Sequence, residues 1–82
     1  MIRIFGTKLC KDCVKCLEEL DEAGVTYEYL DFSESILYLK EFLKYRDVDP
    51  AFSEIRSIGG IGVPCIQKED GTLTLQWEEF LK

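Results

Sequence analysis

The sequence predicts an α/β fold: one domain over residues 1–82, with a four-stranded mixed sheet and helices on both faces. Three features carry that expectation. The chain opens on a strand–helix–strand pattern, a second amphipathic helix follows, and the C-terminal third reads as a proline-led strand, a turn and a last strand. Strand–helix–strand implies a parallel pair with a right-handed crossover, whereas strand–turn–strand implies an antiparallel pair, so the sheet is mixed.

In chain order, Ile2, Ile4 and Phe5 form a short β run closed by Gly6-Thr7, which suits a strand buried between helices. From Cys13 to Gly24, the positions Cys13, Cys16, Leu17, Leu20, Ala23 and Gly24 share one arc of a helix, with Lys15, Glu18, Glu19 and Glu22 opposite. Gly24 suits the residue just past the helix end. Val25 to Leu30 is rich in β-formers and reads as the second strand. Asp31 or Ser33 is placed to cap a second helix over roughly 33–46, and Asp31 and Glu34 have capping-box spacing. Its apolar face is expected to carry Ile36, Leu39, Phe42 and Leu43, with Tyr38 and Tyr45 at the margins.

Asp49-Pro50 reads as an N-cap followed by proline at the first helical position, giving a short third helix to Arg56 with Phe52 and Ile55 inward. Gly59, Gly60 and Gly62 interrupt the pattern. Val63 to Gln67 then reads as a strand, Glu69-Asp70-Gly71 as a hairpin turn, Thr72 to Gln76 as the last strand, and Trp77 to Leu81 as a short helix. There is no internal repeat or linker that would divide the chain.

Composition narrows the function classes. An apolar content of 46% with ten aromatic residues suffices for one modest core. A net charge of −6 counts against nucleic acid and anionic membrane surfaces as partners. No apolar run approaches the ~18 residues of a membrane span and no secretory h-region is visible, so a cytoplasmic, monomeric protein is expected. The chain has no histidine, which removes Cys–His and Ser–His nucleophile schemes. Most acidic residues fall on outer helix faces, leaving no paired catalytic carboxylates.

The chemistry concentrates in the stretch from Gly6 to Cys16, where the first strand runs into a C-x-x-C pair, Cys10 and Cys13, at a helix start. A thiol on the first helical turn faces free backbone N–H groups and the positive end of the macrodipole, which favour the thiolate. Residues 1–15 hold Arg3, Lys8, Lys11 and Lys15 against Asp12 alone, while residues 16–82 hold six basic and fifteen acidic side chains. Positive charge is thus gathered near the cysteines. In a reducing compartment two readings remain open: a redox dithiol, or a metal or iron–sulfur module using Cys10, Cys13, Cys16 and Cys65.

The run from Phe5 to Cys13 (FGTKLCKDC), Gly62-Val63-Pro64 before the third strand and Asp70-Gly71 between the last two resemble a glutaredoxin over nearly the whole length. Small bacterial glutaredoxin-related proteins with C-x-x-C-x-x-C and Val-Pro-Cys are the most similar group. The resemblance implies a thioredoxin-like fold, disulfide exchange through Cys10 with Cys13 as resolving thiol, and a cis peptide before Pro64 beside them. It also implies disulfide-containing or glutathionylated proteins as substrates and glutathione or a reductase as donor. Lys8, Val63 and Pro64 are the expected substrate-contacting positions, Lys8 for an anionic group and the Val63 backbone for an added strand. No bound cofactor or metal is expected, and glutathione stands as a candidate co-substrate. The dithiol interior, Lys11-Asp12, departs from the Pro-Tyr common in glutaredoxins, and the Gly-Gly-x-x-Asp segment that helps hold glutathione is replaced by Thr72 to Trp77, so glutathione is expected to bind weakly.

Cys16 and Cys65 are possible auxiliary thiols, but both suit burial as small core residues. Tyr27, Tyr29 and Trp77 read as packing residues, since no glycine-rich phosphate loop accompanies them.

Overall fold

The computed structural model describes residues 1–81. Strand β1 (Ile2–Gly6) leads to helix α1 (Lys11–Glu22), strand β2 (Tyr27–Asp31) and helix α2 (Ile36–Arg46). A 3-10 turn (Pro50–Phe52) runs into helix α3 (Ser53–Ser57), followed by β3 (Cys65–Gln67), β4 (Leu73–Thr74) and a closing 3-10 turn (Trp77–Phe80). The sheet order is β2-β1-β3-β4, with β1 and β2 parallel and the other two pairs antiparallel. The α/β class and the mixed four-stranded sheet are therefore as the sequence predicts.

Strand alternation divides the core in two. Ile2, Ile4 and Ile66 join Cys16 and Leu20 of α1 and Trp77 on one face. Phe5, Leu30 and Cys65 join Phe42 of α2 and Phe52 on the other. The β1–β3 register explains the split, since Ile4 is opposite Ile66 and Phe5 is opposite Cys65. Helix α1 ends where expected, with the N–H of Val25 returning to the Leu20 carbonyl (3.0 Å) and that of Gly24 to Asp21 (3.1 Å).

Helix α2 differs from expectation at its start and on its face. It begins at Ile36, capped by Ser35, whose Oγ accepts from the Leu37 N–H at 3.2 Å. Asp31 does not cap it. The Asp31 carboxylate instead accepts from the N–H (2.9 Å) and hydroxyl (2.7 Å) of Ser33, closing a local turn. With this start, Ile36 and Leu43 face solvent, 60% and 41% exposed, while Tyr38, Leu39 and Tyr45 pack beside buried Phe42. Aromatic contacts set that rotation: Phe42 meets Phe5, Phe32 and Phe52 at centroid distances of 6.1, 5.2 and 5.7 Å, and Tyr45 stands edge-on to Phe5.

The predicted third helix is present as the 3-10 turn plus α3, capped by Asp49, whose Oδ1 accepts from the Ala51 N–H at 2.9 Å. The last two strands are shorter than predicted. The Thr74 hydroxyl accepts from the Gln76 N–H (3.1 Å) and donates to Glu79 (2.7 Å), which turns the chain out of the sheet after Thr74.

Phe42 has no exposed surface and touches three other aromatic rings. Phe42→Ala should lower unfolding free energy by about 3–5 kcal/mol, read from urea denaturation midpoints.

Candidate active site

Beyond β1 the chain turns through Thr7, whose Oγ1 accepts from the Leu9 N–H (3.2 Å) and whose carbonyl accepts from the Cys10 N–H (3.1 Å). Cys10 occupies the N-cap of α1 with extended backbone (φ −97°, ψ 123°), one residue ahead of the first turn where the sequence places it. Its side chain forms no capping bond and is half-exposed.

Cys13, one turn further, is fully buried against the end of β1. A β-carbon built on Gly6 would stand 2.8 Å from Cys13 Sγ, so the sulfur rests where any other residue at position 6 would place its side chain. Burial pushes the Cys13 thiol up to about 12; a hydrogen bond with the Thr7 main chain opposes this, and the adjacent Cys10 adds to it. Cys10 and Cys13 are therefore neighbours with unequal access to solvent.

The other two thiols diverge from this pair. Cys16 belongs to the core on the α1 face and Cys65 to the core on the α2 face, so the sheet lies between them. Burial pushes each up to about 12, with smaller additions from Glu19 and Glu78 at Cys16 and from Asp49 at Cys65. A single site cannot gather all four sulfurs in this fold. Among the described residues, no three cysteine or carboxylate side chains come together as a ligand set.

Cys10, Val63 and Pro64 line one cleft of about 670 Å³, which also meets Gln76 and Trp77 and carries the acids Asp12 and Glu54. The Val63–Pro64 bond is cis. This wall is held from behind. Gly62 has φ 94°, and a β-carbon on it would fall 2.7 Å from the Phe52 ring, so only glycine lets the loop settle there. The Arg46 guanidinium donates to the carbonyls of Gly60 and Ile61, and that of Arg56 to the carbonyls of Arg46 (2.7 Å) and Asp49 (3.0 Å). Among the described residues, neither main-chain group of Val63 bonds to another main-chain group.

A second groove of about 430 Å³ also reaches Cys10, between Leu9, Phe32, Leu39, Ile61 and Val63. Among the described residues it is lined by no charged side chain. Sequence reading missed it, although the signal was present: Leu9, 93% exposed, and Ile61, 66% exposed, are apolar residues in turn segments that no core demands.

The basic residues are less concentrated than the sequence implies. Arg3 turns to the α2 face, where its guanidinium pairs with Glu41 (2.9 Å) and donates to Gln67 (2.7 Å). Lys8, Lys11 and Lys15 are exposed, and Lys8 lines neither groove. Its charge instead bears on buried Asp31, whose carboxyl is held below its ordinary value mainly by Ser33 and further by Lys8. Trp77 is a packing residue as expected, its Nε1–H donating to Glu19 at 2.7 Å. Tyr29 and Asp31, read from sequence as packing and capping residues, stand on the dithiol side of the sheet. The parallel register could have shown this, because it sets Asp31 beside Gly6 and Tyr29 beside Ile4.

No family model matches the chain, and no solved structure matches it. A Haemophilus influenzae protein described as uncharacterized is 29% identical over 72 residues, spanning 88% of this chain and 84% of that protein.

Two outcomes follow from the unequal thiols. Iodoacetamide on the folded, reduced protein should modify Cys10 alone, with the other three reacting only in denaturant; mass mapping of native Cys16 or Cys65 adducts would contradict the burial pattern. The reduced fold should also lose stability as pH rises from about 9 to about 12. Cys13, Cys16 and Cys65 keep their protons there in the folded state while the unfolded chain has released them, so each costs up to about 1.4 kcal/mol per pH unit. Urea midpoints against pH should show the decline, shallower in Cys65→Ala.

Proposed function

We propose that the chain is a glutaredoxin-like thiol–disulfide oxidoreductase with a thioredoxin-like fold. The observation that carries this reading is the pairing of an accessible thiol at a helix N-cap with a second thiol sealed one turn behind it. The first can meet a substrate. The second can reach only the first.

In the forward cycle the Cys10 thiolate attacks one sulfur of a substrate disulfide, forming a Cys10–substrate bond and releasing the other sulfur as a thiolate. Cys13 then attacks Cys10, expels the second substrate sulfur and closes the Cys10–Cys13 disulfide. The proton of Cys13 ends on the departing thiolate. Two electrons have passed from the dithiol to the substrate, and a donor must return them.

The surroundings favour a protein over glutathione on both sides of the cycle. The apolar groove offers no counter-charge to the carboxylates of glutathione, and the larger cleft offers Asp12 and Glu54, which repel them. An extended peptide finds better partners: the main-chain groups of Val63, which bond to no other described main-chain group, suit an added strand, and the groove beside Cys10 suits an apolar side chain next to the reacting cysteine. Proteins with an accessible disulfide are thus the proposed substrates, and a protein reductase the proposed donor.

Cys10→Ser should reduce turnover to background with any disulfide, whereas Cys13→Ser should lose dithiol turnover and still form a stable mixed disulfide through Cys10. Equal activity of the two variants in a coupled NADPH assay would refute the assigned roles. In the same assay thioredoxin reductase should support faster turnover than glutathione with its reductase; the reverse order would refute the choice of donor.

A further inference from the structure

The Tyr29 hydroxyl is buried, and among the described residues it is the one buried side-chain polar atom without a hydrogen-bond partner. Leaving such a group unpaired by the protein is costly, so its position calls for a reason. The β-carbon position over Gly6 supplies one: that point is 2.8 Å from Cys13 Sγ and 3.4 Å from the Tyr29 oxygen. The hydroxyl and the resolving sulfur border the same small space.

We infer that Tyr29 is a positioning residue for the resolving step, its O–H donating to Cys13 sulfur as negative charge builds there. The inference rests on the disulfide-exchange reading above. In the resting dithiol Cys13 is a neutral thiol, a weak acceptor, and the hydroxyl stands idle. When the Cys10 mixed disulfide forms, Cys13 must shed its proton in a site that water does not reach. A short approach of the hydroxyl, which makes no bond to that sulfur in the dithiol, then supplies a donor to the developing charge. Cys13 attacks Cys10, the Cys10–substrate bond breaks, and the proton released by Cys13 ends on the departing substrate thiolate. Tyr29 keeps its own proton throughout.

The groups facing the hydroxyl agree with that role. Those whose charge acts on it are Cys13, Asp31, Cys10 and Cys16, with Lys8 acting on Asp31. Burial first, then Cys13 and Asp31, raise the Tyr29 hydroxyl above its ordinary value, so it remains a donor through the pH range in which the dithiol works. Tyr27, two residues earlier on the same strand, has no such freedom, because its hydroxyl already donates to Asp21 at 2.7 Å.

The test is stopped-flow reaction of the reduced protein with dithiobis-nitrobenzoate, whose coloured thiolate is released once when Cys10 attacks the reagent and once when Cys13 attacks Cys10. Tyr29→Phe removes one unpaired atom and keeps the ring. The first release should be unchanged, the second slowed about tenfold with its pH midpoint moved upward. The thermal midpoint should be unchanged or higher. Replacing Tyr29 by 3-fluorotyrosine, a stronger donor of nearly the same shape, should move the midpoint of the second release downward. An unaltered second release in both variants overturns the role of Tyr29. A wild-type protein that gives no second release overturns the dithiol reading and this inference together, and Cys13→Ser, which should give one release only, tells the two failures apart.

Discussion

Helix α1 can lie on the sheet with its first turn closed down because position 6 carries no side chain. Cys13 Sγ fills the place of the missing β-carbon, and a methyl group there would have to displace sulfur or strand. Much of the site depends on that approach. With Cys13 pressed onto β1, Cys10 is left at the helix cap as the thiol nearest solvent, facing both grooves. A wider gap would admit water and weaken the burial that pushes the Cys13 thiol up.

The same sheet that supports the dithiol separates its surroundings. Cys16 lies with Cys13 on the α1 face, among Leu20, Ile4 and Trp77, whereas Cys65 looks into the aromatic core around Phe42. Both act as small apolar residues filling space, and their chemical potential is suppressed by the cost of charging them where no water reaches. Chain count alone suggests a four-sulfur cluster. Strand alternation, which sends Cys65 and its neighbour Ile66 to opposite faces, prevents one.

What was legible in the sequence were features written locally. Strand β1, the extent of α1, the Asp49 cap and the turn at Gly71 each depend on residues within a few positions of one another. The rotation of α2 was not legible. Ile36, Tyr38, Leu39, Phe42, Leu43 and Tyr45 are apolar or aromatic nearly all round the helix, so periodicity cannot choose between adjacent stripes, and the choice falls to the rings of Phe5, Phe32 and Phe52 on other elements. In the site, the C-x-x-C pair announces itself by spacing. The Tyr29 hydroxyl does not, because its importance lies in lacking a partner, and that is a property of the folded environment alone. Arg3 shows the same limit from the other side: near the cysteines in sequence, it is on the far face and bound to Glu41 in space.

The loop that carries Ile61, Val63 and Pro64 is moored through its Gly60 and Ile61 carbonyls by Arg46, and Arg56 in turn holds the carbonyls of Arg46 and Asp49. Guanidinium groups keep their charge at every pH a folded protein survives, and carbonyl oxygens do not ionise, so this mooring contains no proton-sensitive element. Carboxylates hold other parts of the cleft: Asp49 accepts from the Ala51 N–H, Glu79 from the Thr74 hydroxyl and Glu19 from the Trp77 indole. Acidification can therefore loosen those parts while the arginine bonds behind Gly60 and Ile61 persist. The segment from Gly60 to Val63 is in this way the part of the cleft whose anchorage does not follow the acidity around it.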